Sequence, residues 1–240
     1  MSDILTTIGA GIMTITLNRA GNKNAITSAM YASMADALQQ AANDEAIRAA
    51  LLQGHETVFC AGNDIGDFLI HPPTAEDLPV YRFLQAISTF PKPLIAAVCG
   101  AAVGVGTTLL LLHCDLVYAG DNASFWLPFV NLGLCPEAAS SLLPPQMLGY
   151  HRAAEVTLLG DALKADAALA TGRVNRVMPP AEVNAFALAK LLLLRTPDPF
   201  DFCLPILAVA IRRVDGHNCF RNRRVWDILQ SVDGAINGSW

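Results

Sequence analysis

Charge is scarce in this 240-residue chain: charged side chains make up 15% of it and hydrophobic residues 53%. An average soluble domain carries roughly 25% charge. So few charges cover a lone subunit's surface poorly, and the expectation is that part of the surface is buried between subunits. A net charge of −5, with no Lys/Arg run of five or more, argues against a nucleic-acid partner. The six cysteines (Cys60, Cys99, Cys114, Cys135, Cys203, Cys219) contain no C-x-x-C pair and mostly lie in apolar runs, the pattern of reduced, buried thiols in a cytosolic protein. The five histidines (His55, His71, His113, His151, His217) lack metal-ligand spacing, so no metal is expected. The opening MSDILTTIGAG has neither the basic nor the apolar region of a signal peptide, and the closing NGSW is not a peroxisomal tripeptide; the expected location is cytoplasmic. Neither an internal repeat nor a low-complexity segment is present.

One long uncharged stretch, Pro93 to Cys114, is long enough to cross a bilayer. Gly100, Gly104 and Gly106 break it as a helix, and Pro91 and Pro93 stand at its start. It reads better as a strand (Leu94–Val98), a glycine turn and a buried helix from about Thr107 to Leu112, so no membrane association is expected. A chain of this length can bury roughly 70–75% of its unfolded surface without staples, enough for one large domain or a domain plus a small appendage.

Other segments follow the same logic. Ile12 to Leu17 alternates as a strand does. Thr27 is placed to cap a helix through about Ala42 with Met30, Met34, Ala37 and Leu38 on one face. A strand Ala49–Gln53 runs toward FCAGND at 59–64. His71–Pro73 reads as a loop, and Thr74–Phe90 as a helix opened by a Thr74/Asp77 capping box. Cys114–Ala119 and Val174–Val177 read as strands. Helices are expected from Pro136, over His151–Leu159 and over Pro180–Leu194. Strands alternating with helices, and mostly continuously apolar, imply an α/β protein with a mainly parallel sheet covered on both faces. Residues 1–194 form the expected core and 195–240 an expected helical tail, where the periodicity weakens.

Two turns stand out. FCAGND leaves a strand, and GAAVGVG (100–106) leaves another and opens a helix. Small residues at a strand exit let a ligand approach the backbone closely. Two N–H groups converging on one point make an oxyanion hole, and a helix N-terminus adds its dipole. Gly100, Gly104 and Gly106 have the wrong spacing for a dinucleotide fingerprint.

With these turns the chain resembles the crotonase (enoyl-CoA hydratase/isomerase) superfamily from about Ile12 to Val183, on ITLNRAGNKNAI, FCAGNDI, KPLIAAVCGAAVGVG and CDLVYAGDNASF. The resemblance implies a crotonase-like spiral of ββα units with a helical C-terminal region that builds a homo-trimer or dimer of trimers. It also implies an acyl-CoA thioester substrate, with coenzyme A entering as part of it and no other cofactor. The backbone N–H groups of Asn63 and Val105 would hold the thioester oxygen, and Ala61, Gly62, Gly104, Phe129 and Leu132 would line the substrate.

Two glutamates mark the hydratases of the superfamily. Thr108 and Phe129 stand at those positions here. Over FWLPFVNLGLCPEAASSLLP the chain resembles instead the peroxisomal-type Δ3,Δ2-enoyl-CoA isomerase branch, and the Gly-Asn-Asp of FCAGND fits that branch too. Ala138 replaces a common glycine. The implied mechanism, of β-oxidation type, uses Glu137 alone: it takes a C2 proton from a 3-enoyl-CoA and returns it to C4. A helix start at Pro136 would lower the Glu137 pKa, and an apolar pocket of Phe125, Trp126, Phe129 and Leu132 would raise it. Asp64 reads as a helix cap, and Lys23 and Lys92 as solvated surface lysines. The alternatives are an enoyl-CoA hydratase or other crotonase-type reaction through a different base, and a non-catalytic acyl-CoA-binding protein.

Overall fold

The computed structural model describes residues 2–70, 78–136 and 138–193, with backbone alone at Leu110 and Leu111. Its strands are β1 (Ile4–Gly9), β2 (Ile12–Leu17), β3 (Ala49–Gln53), β4 (Val58–Cys60), β5 (Leu94–Val98), β6 (Ala101–Val103), β7 (Leu116–Gly120), β8 (Ser124–Trp126), β9 (Leu163–Lys164) and β10 (Arg176–Met178). Its helices are α1 (Ser28–Asn43), α2 (Ile65–Ile70), α3 (Pro79–Ser88), α4 (Val105–Leu112), α5 (Leu143–Leu148), α6 (Tyr150–Leu158), α7 (Ala165–Ala170) and α8 (Pro180–Leu193).

A six-stranded sheet runs β1-β2-β3-β5-β7-β10, parallel except for the β1–β2 hairpin. Its central strands β3 and β5 are almost wholly apolar because both faces are covered there, whereas edge strand β1 is mostly exposed. Met13, Ile15, Ala50, Leu52, Ala96 and Val98 pack on Met30, Met34 and Leu38 of α1 and on Phe83 and Ile87 of α3. Their chain neighbours Ile12, Ala49, Leu51, Ile95 and Ala97 point the other way, onto Val183, Ala187 and Leu191 of α8. Each fully buried Leu or Ile contributes about 1.5–3 kcal/mol, so these two faces carry most of the fold. Helix α1 starts where its cap predicts: Thr27 Oγ1 accepts the Met30 N–H at 3.3 Å.

A second sheet of four short strands runs β4-β6-β8-β9. The pairs β3/β4, β5/β6 and β7/β8 each give one strand to each sheet, and helices follow. This is the spiral of ββα units. FCAGND therefore does not leave β3 directly. The chain turns at Gly54–Thr57, with His55 and Val58 bridged, and FCAGND leaves β4 instead.

Several boundaries differ from the sequence reading. Helix α4 begins at Val105 rather than Thr107, and β7 and β10 sit two residues later than expected at their starts. No helix opens at Pro136. Ala138 and Ala139 have φ of 50° and 60°, a left-handed pair that a right-handed helix cannot contain, and α5 begins only at Leu143. The helix-dipole influence expected on Glu137 from that helix is therefore withdrawn. The His71–Pro73 loop, the Thr74/Asp77 box, Glu137 itself and the 195–240 tail lie outside the described residues. Cys60 and Cys99 are buried, with burial pushing the Cys99 thiol up to about 11, but Cys135 is exposed.

Candidate active site

Strands β4 and β6 are parallel neighbours, with Cys60 paired to Ala102. Their carboxyl ends exit side by side, so the turns Ala61–Asp64 and Gly104–Gly106 abut. At the point of approach a Cβ added to Gly62 would lie 3.2 Å from the Val103 carbonyl oxygen, and Gly62 has φ of 93°. The first turn is held from below by ITLNRAGNKNAI. Ile26 N–H donates to Gly62 O at 2.8 Å, Asp64 N–H to Ile26 O at 2.9 Å and Ala61 N–H to Lys23 O at 3.0 Å.

Those bonds use most of the amides around the turns. Gly62 N–H donates to Cys60 Sγ at 3.3 Å, and Gly104 N–H to Trp126 O at 2.9 Å. Among the described residues, the Asn63 N–H has no backbone partner, and the Val105 N–H opens α4 with no side-chain cap. Buried backbone donors are nearly always paired, so free N–H groups on two touching turns are donors available to a ligand. Val105 is buried and Asn63 half-buried, which leaves the first donor reachable from solvent. The Asn63 side chain is separately fixed, its Oδ1 accepting the Tyr31 hydroxyl at 2.5 Å.

Asp64 caps α2, accepting the Asp67 N–H at 3.1 Å, and pairs with Arg19 at 2.7 Å. The Arg19 hydrogen bond, with that of Asp67, holds the Asp64 carboxyl below its ordinary value. A lowered folded-state pKa stabilises the fold above the unfolded value, and this contribution disappears as pH falls below about 4. Asp64→Asn is expected to make the acid limb of stability against pH shallower. An unchanged limb in a urea titration from pH 6 to 3 would refute this role.

Arg19 leads to a residue that sequence reasoning missed. Asn24 is fully buried with φ of 55°; its Nδ2 donates to Phe59 O at 2.9 Å, and its Oδ1 accepts the Arg19 N–H at 2.8 Å. It braces β4 directly below the first turn. The one signal in the sequence is that Asn tolerates the left-handed region better than most residues.

Thr108 is 1% exposed and donates to Val105 O at 3.2 Å. Its neighbour Thr107 donates to Ala102 O at 2.6 Å and accepts the Trp126 N–H at 3.0 Å. Neither supplies a carboxylate. Thr107 and Thr108 border a slot of about 10 Å³ with Ser140, Pro144, Met147, Leu148 and Arg173, room for about one water.

The four aromatic and aliphatic residues expected to form one pocket part company. Phe125 belongs to the main core, and Phe129 packs with Leu127 and Val156. Trp126 and Leu132 are exposed. Lys92 is not a solvated surface lysine: its Nζ donates to the carbonyls of Ala41, Asp44 and Ile47 at 2.6–2.7 Å, closing the end of α1. Lys23 is exposed. Among the described residues no cluster has the makings of a metal site, and no helix is long and apolar enough to cross a membrane.

The left-handed Ala138 costs roughly 1–2 kcal/mol that glycine would not. Part of that is offset by the greater unfolded-state freedom of glycine. Ala138→Gly is expected to stabilise the protein by about 0.5–1 kcal/mol, read as a raised melting midpoint. A lowered midpoint would contradict the strain.

The chain matches the Enoyl-CoA hydratase/isomerase family over residues 7–201. It is 41% identical to rat enoyl-CoA delta isomerase 2 over 182 residues, which cover 73% of this chain and 46% of the relative. It therefore spans about half the length of that relative. It is 38% identical over 185 residues to the 1,2-epoxyphenylacetyl-CoA isomerase of Escherichia coli, covering 74% of this chain and 70% of the relative. An enoyl-CoA hydratase/isomerase from Pseudoalteromonas atlantica superposes with a TM-score of 0.90 at 36% identity, over 96% of this chain and 91% of that one. Fold, turns and sequence agree: this chain belongs to the enoyl-CoA hydratase/isomerase family.

Proposed function

We propose that the chain is a Δ3,Δ2-enoyl-CoA isomerase of β-oxidation type, moving the double bond of a 3-enoyl-CoA into conjugation with its thioester. One observation carries this reading: two adjoining turns leave the Asn63 and Val105 N–H groups unpaired among the described residues, while the positions of the hydratase glutamates hold Thr108 and Phe129, both buried. Such a site supports an enolate but gives water addition neither of its two carboxylates.

In this mechanism Glu137 takes the C2 proton, and the electrons move onto the thioester oxygen, held by the two N–H groups. The same proton returns to C4, and the double bond settles between C2 and C3. Proton count and charge balance, with no co-reactant and no cofactor beyond the coenzyme A of the substrate. The rat delta isomerase supports this branch. The 1,2-epoxyphenylacetyl-CoA isomerase, at similar identity, shows that likeness alone does not select the reaction. Exposed Val130, Leu132, Leu158 and Leu159 support assembly into trimers through an apolar contact.

The test is a spectrophotometric assay with trans-3-hexenoyl-CoA, following the conjugated 2-enoyl thioester, with crotonyl-CoA hydration measured beside it. Conjugation without hydration is the expected result. Hydration without conjugation would establish the hydratase alternative, and binding without either reaction a non-catalytic acyl-CoA shell.

A further inference from the structure

We propose that Cys60 is a positioning residue that sets both oxyanion donors at once, an inference that rests on the function proposed above. The side chain is fully buried at the end of β4, between the two turns. On one side its Sγ accepts the Gly62 N–H at 3.3 Å. That bond orients the Ala61–Gly62 peptide, and the next peptide, which carries the Asn63 N–H, is held at its other end by the Ile26 N–H on Gly62 O at 2.8 Å. The bond to Sγ also occupies the neighbouring amide, which would otherwise compete for the thioester oxygen. With Ala61 and Asp64 N–H groups bonded to Lys23 and Ile26, Asn63 is left as the donor of its turn.

On the other side Cys60 meets the first turn of α4. A Cβ added to Gly106 would lie 2.8 Å from Cys60 Cβ, 3.1 Å from its Sγ and 3.2 Å from its carbonyl oxygen. Gly106 therefore seats directly on Cys60, and that contact fixes how far Val105, one residue earlier, stands from Asn63. One small side chain thus spaces the two turns and occupies the amide next to Asn63, while in the second turn the Gly104 N–H is already taken by Trp126 O. A misplacement of about 1 Å can cost 100-fold in rate, so a spacer between two donors acts on turnover more than on affinity.

The experiment reads the donors directly. The thioester carbonyl stretch of [1-¹³C]hexanoyl-CoA, bound to the full chain, is compared by infrared difference spectroscopy with that of the free thioester. Wild type should lower the frequency. Cys60→Ala should lose about half of that shift, with kcat for trans-3-hexenoyl-CoA falling about tenfold and KM staying within about threefold. Cys60→Ser, whose hydroxyl can accept the Gly62 N–H, should recover most of the lost shift. Gly106→Ala should lose more than Cys60→Ala, and the milder variant keeps the test valid where Gly106→Ala does not fold. A folded Cys60→Ala with the full wild-type shift would overturn the positioning role. Absence of any shift in wild type would instead overturn the oxyanion reading itself.

Discussion

Glu137→Gln is expected to lower the turnover of trans-3-hexenoyl-CoA by about 10²–10⁴-fold, the usual contribution of a positioned general base. The amide keeps the size and much of the polarity of the carboxylate, so binding should persist and KM should change little. The single-base mechanism makes the loss severe. In the proposed reaction the same group takes the proton at C2 and delivers it at C4, so both half-reactions should fail together. Neither buried Thr108, bonded to Val105 O, nor Phe129, packed on Leu127 and Val156, can substitute. Asp64 is already engaged by Arg19 and the Asp67 N–H. A variant that retains a tenth or more of wild-type turnover would remove Glu137 from the mechanism and reopen the search for the base.

The sequence was most readable where periodicity runs long. Helix α1 and strands β2, β3 and β5 stand close to where their patterns put them, and Thr27 caps as expected. The second sheet was not readable at all. Strands β4, β6 and β8 are three residues each, and β9 is two, too short for alternation to declare itself. Yet β4 and β6 are the pair whose ends bring the turns together. The turns were legible as motifs, and their adjacency was not, because it arises from strands that leave no pattern. Lys92 misled for a related reason. A lysine flanked by prolines looks solvated in one dimension, and only the fold brings the carbonyls of Ala41, Asp44 and Ile47, in the last turn of α1 and the loop after it, around its ammonium.

Gly100→Ala should have the largest effect on stability. Gly100 joins β5 to β6 at the corner between the two sheets, with φ of 69°. An added Cβ would sit 2.0 Å from the Thr57 carbonyl oxygen, 2.5 Å from its carbon and 2.9 Å from Val58 N. All three are backbone atoms, so no rotamer change relieves the clash, and the corner itself must move. That corner is stitched to its neighbours: Gly100 N–H donates to Asn122 Oδ1 at 3.0 Å, Asn122 Nδ2 donates to Glu56 O at 2.9 Å, and Ser124 N–H donates to Gly100 O at 3.0 Å. Overpacking of this kind costs about 1–3 kcal/mol, and the left-handed conformation about 1–2 more for alanine. The sum, about 2–5 kcal/mol, is a large fraction of the roughly 5–15 kcal/mol that stabilises a whole domain. The expected fall in melting midpoint is about 4–20 °C, and the variant should be recovered largely insoluble. Since β6 leads directly into Gly104 and Val105, soluble protein should also show reduced turnover. A midpoint within about 3 °C of wild type would mean that the Gly100 corner shifts freely against the Thr57–Val58 backbone, and that the spacing of the two turns is set elsewhere than at Gly100.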